Sequence, residues 1–247
     1  MAERVIAITG GASGIGKETA FLLADEGVKV VIADFNDTLA KEVAEKINAK
    51  GGKAVAFKLD VSKKEEVEAL VNFTVEQYGT ITGIFNNAGI GLVKPFLEMD
   101  PASFEKVIEV DQLSVYYGMY YAARKMVELG VTNGVIINTA SIYGFMSAVG
   151  SSNYNAAKAA VVALSRSGAL ELAPHNIRVV GVAPGFINTP ILEMDEESKN
   201  YLGSLHMRKK LIEPEKVASV VRFLFSEDAD AINGSTIPVD DGFLCYK

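Results

Sequence analysis

The sequence predicts an α/β fold: a doubly wound, parallel β-sheet with helices on both faces. Three observations carry it. Short β-branched runs alternate with longer amphipathic stretches, the pattern of β–α–β units. The runs are continuously apolar, as expected of strands covered on both faces. A glycine-rich turn lies between the first run and the first helical stretch, where a helix start can hold phosphate.

The elements follow in order. "RVIAIT" (4–9) reads as a buried strand, then a helix runs from about Gly14 to Glu26. "VKVVIA" (28–33) is the next strand and "DTLAKEVAEKINAK" its helix. "KAVAFKL" (53–59) and "KKEEVEALVNFTVEQYG" repeat the unit. After the strand "ITGIFNN" (81–87), "DPASFEKVIEVDQLSVYYGMYYAARKMVEL" reads as one long helix, with Asp100 as N-cap and Pro101 in its first turn. "GVIINTA" (134–140), a helix through "YNAAK", "IRVVGVA" (177–183), a helix over "EPEKVASVVRFLFS" and a short strand "STIPVDD" complete the series. No linker, repeat or low-complexity stretch interrupts it, so residues 1–247 are expected to form a single domain. The one long irregular segment, about 185–214, is expected to be a substrate lid.

Composition narrows the function. Of 247 residues, 49% are hydrophobic and 22% charged, the balance of a globular protein with a large core. A net charge of −7 argues against a nucleic-acid partner. The one cysteine, Cys245, can form neither an internal disulfide nor a cysteine cluster, which suits a reducing cytoplasm. His175 and His206 lack metal-ligand spacing and read as surface or loop residues, so no metal is expected. No apolar stretch reaches the roughly 18 residues of a membrane span, and none resembles a signal peptide. The expectation is a cytoplasmic protein without membrane contact.

"TGGASGIG" (9–16) is the phosphate-end motif. Gly10, Gly14 and Gly16 permit a tight turn and close backbone approach to a pyrophosphate, flanked by Ser13 and Ile15. Asp34, at the end of the second strand, is 24 residues after Gly10, near the spacing for an acid on the adenosine ribose. Its charge would repel a 2′-phosphate, and neither Phe35, Asn36 nor Ser13 supplies a cation to hold one. NAD is therefore expected over NADP.

The spacing TGxxxGxG together with "YNAAK" (Tyr154, Lys158) resembles the short-chain dehydrogenase/reductase family, and the resemblance covers essentially the whole chain. Its motifs recur in order. "LDV" (59–61) resembles the pair flanking the adenine, Asp60 and Val61. "NNAG" (86–89) resembles the cofactor-lining strand end, with Asn86, Asn87, Ala88 and Gly89. "NTASIYG" (138–144) carries the family serine at Ser141. "PGFINTP" (184–190) resembles the nicotinamide-side segment, with Pro184 and Gly185 at its start and Ile187 and Thr189 near the carboxamide. The resemblance implies a Rossmann-like sheet of seven strands in order 3-2-1-4-5-6-7, a nicotinamide-dependent oxidoreductase acting on alcohols and carbonyls, and a homotetramer or dimer.

Tyr154 is then the general acid/base and Ser141 the partner of the substrate oxygen. A free phenol titrates near ~10, so a base at neutral pH needs nearby positive charge. Lys158, one helical turn from Tyr154, is expected to supply it, with the oxidised nicotinamide, and to hold the ribose hydroxyls. Asp111 departs from the pattern: the family has Asn there, in VNLxG, and here "VDQLSV" (110–115) also puts Ser114 at the glycine. Asp111 is expected to raise the pKa of Lys158 and weaken its pull on Tyr154; a mainly structural role stays open. A second departure puts Asp241 where "DGG" has glycine.

Three functions stay open. The first is NAD(H)-linked interconversion of a secondary alcohol and a ketone, on a hydroxysteroid or other apolar alcohol, or on a small diol or polyol. The apolar segment Ile187, Ile191, Leu192, Met194, Tyr201, Leu202, Leu205 and Met207 is available to cover such a substrate. The second is a β-ketoacyl carrier-protein reductase, for which the basic "MRKK" (207–210) speaks and Asp34 speaks against. The third is a cofactor-binding protein without catalysis.

Overall fold

Seven strands form one parallel sheet, in the order β3-β2-β1-β4-β5-β6-β7, in the computed structural model of the chain. They are β1 (Val5–Thr9), β2 (Lys29–Asp34), β3 (Lys53–Lys58), β4 (Gly83–Asn86), β5 (Gly134–Thr139), β6 (Ile177–Pro184) and β7 (Thr236–Val239). The structure describes residues 4–192 and 194–246, so Met1–Glu3, Glu193 of the expected lid and Lys247 lie outside it. Predicted and observed strand ends all coincide to within two residues, with "STIPVDD" and "ITGIFNN" shortened at both ends to β7 and β4.

Alternate strand residues serve two cores, because successive side chains point to opposite faces. Ile6, Ile8, Val30, Ile32, Phe85, Ile137, Val180 and Val182 pack against α1 (Gly14–Asp25), α2 (Asp37–Ala49) and α8 (Pro214–Phe225). Ala7, Val31, Ala33, Ile84, Ile136 and Val179 pack against α3 (Lys64–Tyr78), α5 (Ser114–Glu128) and α6 (Ser152–Leu172). Each large apolar side chain buried this way contributes ~1.5–3 kcal/mol.

Strand order reverses between β1 and β4, which are hydrogen-bonded neighbours. In such a sheet the crevice outside the strand carboxyl ends receives ligands. The glycine turn after β1, the "NNAG" end of β4, Ser141 after β5 and Gly185–Thr189 after β6 all emerge at that edge.

The predicted long helix is divided. α4 (Pro101–Ile108) starts as expected, with Asp100 Oδ1 accepting from Ser103 N at 2.9 Å. A π-helical turn then covers Glu109–Leu113 before α5 begins. Ser114 Oγ donates to the Val110 carbonyl at 2.5 Å there, a back-bond that competes with regular helix pairing. π-Turns of this kind concentrate at functional sites, and Asp111 sits in the middle of this one. The segment after β6 is not wholly irregular: it contains α7 (Glu196–Ser204), capped by Asp195. A final helical turn, α9 (Phe243–Tyr246), closes the chain's described part. Among the described residues no helix is long and apolar enough to cross a membrane.

Candidate active site

Backbone builds the phosphate end. Gly10 and Gly14 have φ of 63° and 51°, the left-handed region that favours glycine. A Cβ on Gly16 would lie 2.2 Å from the Gly10 carbonyl oxygen, so only glycine closes this turn. Asn87 laces the turn to β4: its Nδ2 donates to the carbonyls of Thr9 and Gly10, each at 3.1 Å. Thr9 Oγ1 accepts in return from Asn87 N and Ala88 N. Ser13 occupies the N-cap of α1 without a side-chain cap bond, and Ile15 packs into the core.

Asp34 is tied to this turn. Its Oδ2 accepts from Ala12 N at 3.0 Å and its Oδ1 from Asn36 N at 2.9 Å. Asn36, not Asp34, caps α2 by accepting from Leu39 N. Phe35 lies beside it, 72% exposed. Asp60 Oδ1 accepts from Ser62 Oγ and Ser62 N, and these bonds hold its carboxyl below the ordinary carboxylate range. Val61 is partly buried against the α3 side of the core. At the other end, the Thr189 methyl lies 3.1 Å from where a Gly14 Cβ would be, so Gly14 admits the segment after β6. Pro184 is buried, and a Cβ on Gly185 would lie 2.6 Å from His206 Nε2.

Ser141, Tyr154, Lys158 and Asp111 come together at the carboxyl end of β5. Ser141 Oγ accepts from Tyr143 N at 3.2 Å, which leaves its own proton to donate. Lys158 is 2% exposed; its Nζ donates to the Thr139 carbonyl at 2.9 Å and lies 5.5 Å from the Tyr154 ring centroid. Asp111 is fully buried, with Oδ1 accepting from Ile90 N at 2.8 Å. Its Oδ2 lies 3.1 Å from Lys158 Nζ. That contact is an ion pair rather than an aligned hydrogen bond, because among the described residues Oδ2 meets no directed donor. Gly89 makes room for the pair: a Cβ there would be 2.8 Å from Asp111 Oδ2 and 3.5 Å from Lys158 Nζ.

The charges act in opposition. Burial pushes the Asp111 carboxyl up, against the pull of Lys158. Burial pushes the Lys158 ammonium down, but Asp111 beside it prevails and the lysine is raised, so it keeps its proton. Burial pushes the Tyr154 phenol up; Lys158 and a hydrogen bond with Ser141 oppose this, and Asp111 reinforces it. The sequence suggested a lowered Tyr154 from Lys158 and the nicotinamide together. In the chain alone the direction is reversed, because desolvation and Asp111 outweigh Lys158.

Several side chains depart from expectation. His206 lies in the loop after α7 but not at the surface: it is fully buried, with Nε2 accepting from Phe186 N at 3.2 Å. Its Nδ1 then donates to the Lys210 carbonyl at 2.7 Å, which fixes the neutral tautomer. His175 is exposed, as expected. Asn86 is committed to the core: its Nδ2 donates to Asn138 Oδ1 at 2.8 Å. Ile187 is buried there too, bridging to Ile212, so it is unavailable to cover a substrate. The basic stretch 207–210 stays exposed, and two of its cations also make contacts within the fold. Arg208 pairs with Asp241, and Lys209 Nζ donates to the Ser204 carbonyl at 2.8 Å. A cleft of about 450 Å³ lined by Thr189, Leu192, Met194 and Lys199 lies under the segment; Tyr154 is not in its lining.

Sequence reasoning missed Asn153 and Asn155, the immediate neighbours of Tyr154. Asn153 Nδ2 donates to the Leu92 carbonyl, tying down the loop after Gly89. Asn155 Nδ2 donates to the carbonyls of Tyr143 and Met146, tying down the loop after Ser141. Two polar residues flanking Tyr154 on a helix otherwise rich in alanine were the available signal.

A family model described as "Enoyl-(Acyl carrier protein) reductase" matches residues 10–244. The cyclohexanol dehydrogenase of Acinetobacter sp. (strain SE19) is 42% identical over 242 residues, covering 98% of this chain and 95% of that protein. A 2,5-dichloro-2,5-cyclohexadiene-1,4-diol dehydrogenase of Sphingobium indicum (strain B90A) is 36% identical over 250 residues, covering 98% of each. The crystal structure of levodione reductase superposes with a TM-score of 0.94 at 34% identity, covering 99% of this chain and 98% of that one.

Proposed function

The chain belongs to the short-chain dehydrogenase/reductase family and is an alcohol oxidoreductase, and on that premise we propose that it is an NAD(H)-dependent dehydrogenase of secondary alcohols on six-membered carbocycles. The observation that carries the chemistry is the convergence of Ser141, Tyr154 and buried, charged Lys158 at one sheet edge. The relatives named for cyclohexanol and a cyclohexadiene diol support the ring. So do exposed apolar side chains on the segments that follow β4, β5 and β6, Val93, Phe96, Val149, Ile191 and Met194, all more than 40% exposed.

The residues present suit a dinucleotide. The glycine turn leaves no room for side chains, Asp34 offers a fixed carboxylate to a ribose, and among the described residues the buried Oγ1 of Thr139 has no hydrogen-bond partner. Gly10, Ser13, Gly14, Ile15 and Gly16 would take the pyrophosphate. Asp34 and Phe35 would take the adenosine side, with Asp60 and Val61 at the adenine. Asn87, Ala88 and Gly89 would line the path, and Pro184, Gly185, Ile187 and Thr189 the nicotinamide side. A bound nicotinamide would supply the hydride acceptor.

Ser141 donates its free proton to the substrate oxygen and orients it. Tyr154 Oη takes the hydroxyl proton during oxidation and returns it during reduction. Lys158 has three N–H donors, one of them taken by the Thr139 carbonyl, which leaves donor capacity for a ribose hydroxyl. Asp111 keeps Lys158 protonated and tempers its effect on Tyr154. Asp34, held by Ala12 N and Asn36 N where its charge would repel a 2′-phosphate, speaks against a carrier-protein reductase, which would use NADPH. Exposed Tyr116, Tyr120 and Val127 on α5 supply an apolar face for the expected oligomer, and single Cys245 suits a reducing cytoplasm.

The test is NAD-linked and NADP-linked oxidation of cyclohexanol, cyclohexanediols, a hydroxysteroid and an acyclic polyol. The expected result is the highest kcat/KM with NAD and a cyclohexyl alcohol. Preference for NADP, or for the steroid or polyol, would overturn the assignment.

A further inference from the structure

We propose that the C-terminal turn, Asp240–Tyr246, is a latch that holds the 205–211 stretch of the lid against the aromatic stack leading to Tyr154, making Asp241 and Arg208 positioning residues that set substrate affinity; the kinetic half of this rests on the reading of the site given above. Asp241 has φ of 48°, a backbone setting that glycine would adopt without strain. Its side chain repays that setting with specific contacts. Oδ2 accepts from Arg208 N at 2.7 Å, and Oδ1 accepts from Arg208 Nε. The Asp241 carbonyl accepts from Met207 N at 3.2 Å. Three successive bonds thus bind one residue of the turn to two of the lid.

The rest of the turn is built to present Asp241. Asp240 accepts from Gly242 N at 3.0 Å and from Leu244 N at 2.8 Å, which closes the turn on itself. A Cβ on Gly242 would lie 2.4 Å from Met207 Sδ, so the lid rests directly on that glycine. Tyr246 reaches across and donates its hydroxyl to the Leu205 carbonyl. Between these points His206 is buried, joining Phe186 N to the Lys210 carbonyl.

A chain of rings carries the turn's position to the reaction centre. Phe243 meets Phe186 edge-on at 5.5 Å, Phe186 meets Tyr143 at 6.1 Å, and Tyr143 meets Tyr154 at 6.3 Å. Tyr143 also follows Ser141 by two residues and donates its N–H to Ser141 Oγ. Loosening the latch frees the lid side of this stack while leaving the proton-transfer groups in place. The effect falls on the wall that a substrate ring contacts, not on the chemical step.

The experiment compares wild type with Asp241→Gly, which accepts the left-handed backbone and removes the carboxylate, and with Arg208→Ala. Two readouts are used: steady-state kinetics with the best cyclic alcohol, and amide hydrogen exchange without substrate. The latch predicts a rise in alcohol KM of about 5-fold or more in each variant, with kcat and the KM for NAD within about twofold. It predicts faster exchange confined to 203–211 and 241–246, and a double variant no worse than either single one. Unchanged KM and unchanged exchange overturn it. A fall in Tm with exchange rising throughout and kcat dropping alongside overturns it too, since that marks a merely structural contact. If wild type oxidises no cyclic alcohol yet Asp241→Gly still loosens 203–211, the latch is supported and the substrate reading fails.

Discussion

Two buried polar clusters flank the end of β5, one residue apart, and they are built on different principles. Asn138 anchors the first: it accepts from Asn86 at 2.8 Å and donates to Ser165 Oγ at 3.0 Å, and Ser165 donates onward to the Val161 carbonyl. Thr139 anchors the second, through its carbonyl to Lys158, which pairs with Asp111. The first cluster is neutral and every link is an aligned hydrogen bond. The second carries two opposite charges, and its Asp111 Oδ2 lacks a directed donor. Neutral closed networks specify a core; buried charge with residual bonding capacity is costly and is kept where it acts on something. The contrast separates the structural asparagines from the chemical residues within one strand end.

The sharpest way to break the comparison is Lys158→Met. It should lower kcat/KM by ~10³-fold, because the tyrosine loses the only ammonium near it among the described residues. It should also cost ~3–5 kcal/mol of stability, because Asp111 becomes an unpaired buried carboxylate. Adding Asp111→Leu should restore most of the stability, measured by urea denaturation, and none of the activity. Were activity to return with stability, Lys158 would be a structural counter-ion and no more.

Asn138→Leu probes the other cluster and should do the reverse. The leucine fills the space but strands the Asn86 amide and removes a donor to Ser165, each loss costing ~1–3 kcal/mol. Unfolding midpoints should fall while kcat, assayed well below the transition, stays within about threefold. A large fall in kcat at unchanged stability would show that the neutral cluster also serves the reaction.

Legibility followed the same division. The strands, the glycine turn and the Tyr154–Lys158 spacing are local in sequence, so periodicity and motif reveal them. Asp100 and Asn36 announce their helices because a cap acts within three residues. The asparagine cluster was not legible, since Asn86 meets Asn138 across 52 residues and only the sheet register brings them together. The burial of His206, read as a surface or loop residue, was not legible because its partners, Phe186 N and the Lys210 carbonyl, are backbone groups that no motif marks. Ile187 was assigned to a cover by its apolarity, which serves equally well for the core. The π-turn at 109–113 hid inside an unbroken helical pattern: buried Val107, Val110, Ser114 and Val115 keep ordinary helix spacing through it.

Asp111→Asn is the mildest test and the one aimed at the difference in charge itself. The amide keeps an oxygen for Ile90 N, so the shape of the turn should survive. What changes is sign. Asp111 raises both Lys158 and Tyr154, so its removal lowers both, and the lysine pulls on the phenol without an opposing anion. Oxidation needs Tyr154 deprotonated. The rising limb of kcat/KM against pH should therefore move to lower pH, with the plateau changed little. The reductive direction needs the protonated phenol, so its falling limb should move the same way. A profile that stays put would assign Asp111 to packing alone. A shift to higher pH would mean that Lys158, without its anion, gives up its proton to burial, and that Asp111 serves to keep the lysine charged rather than to restrain it.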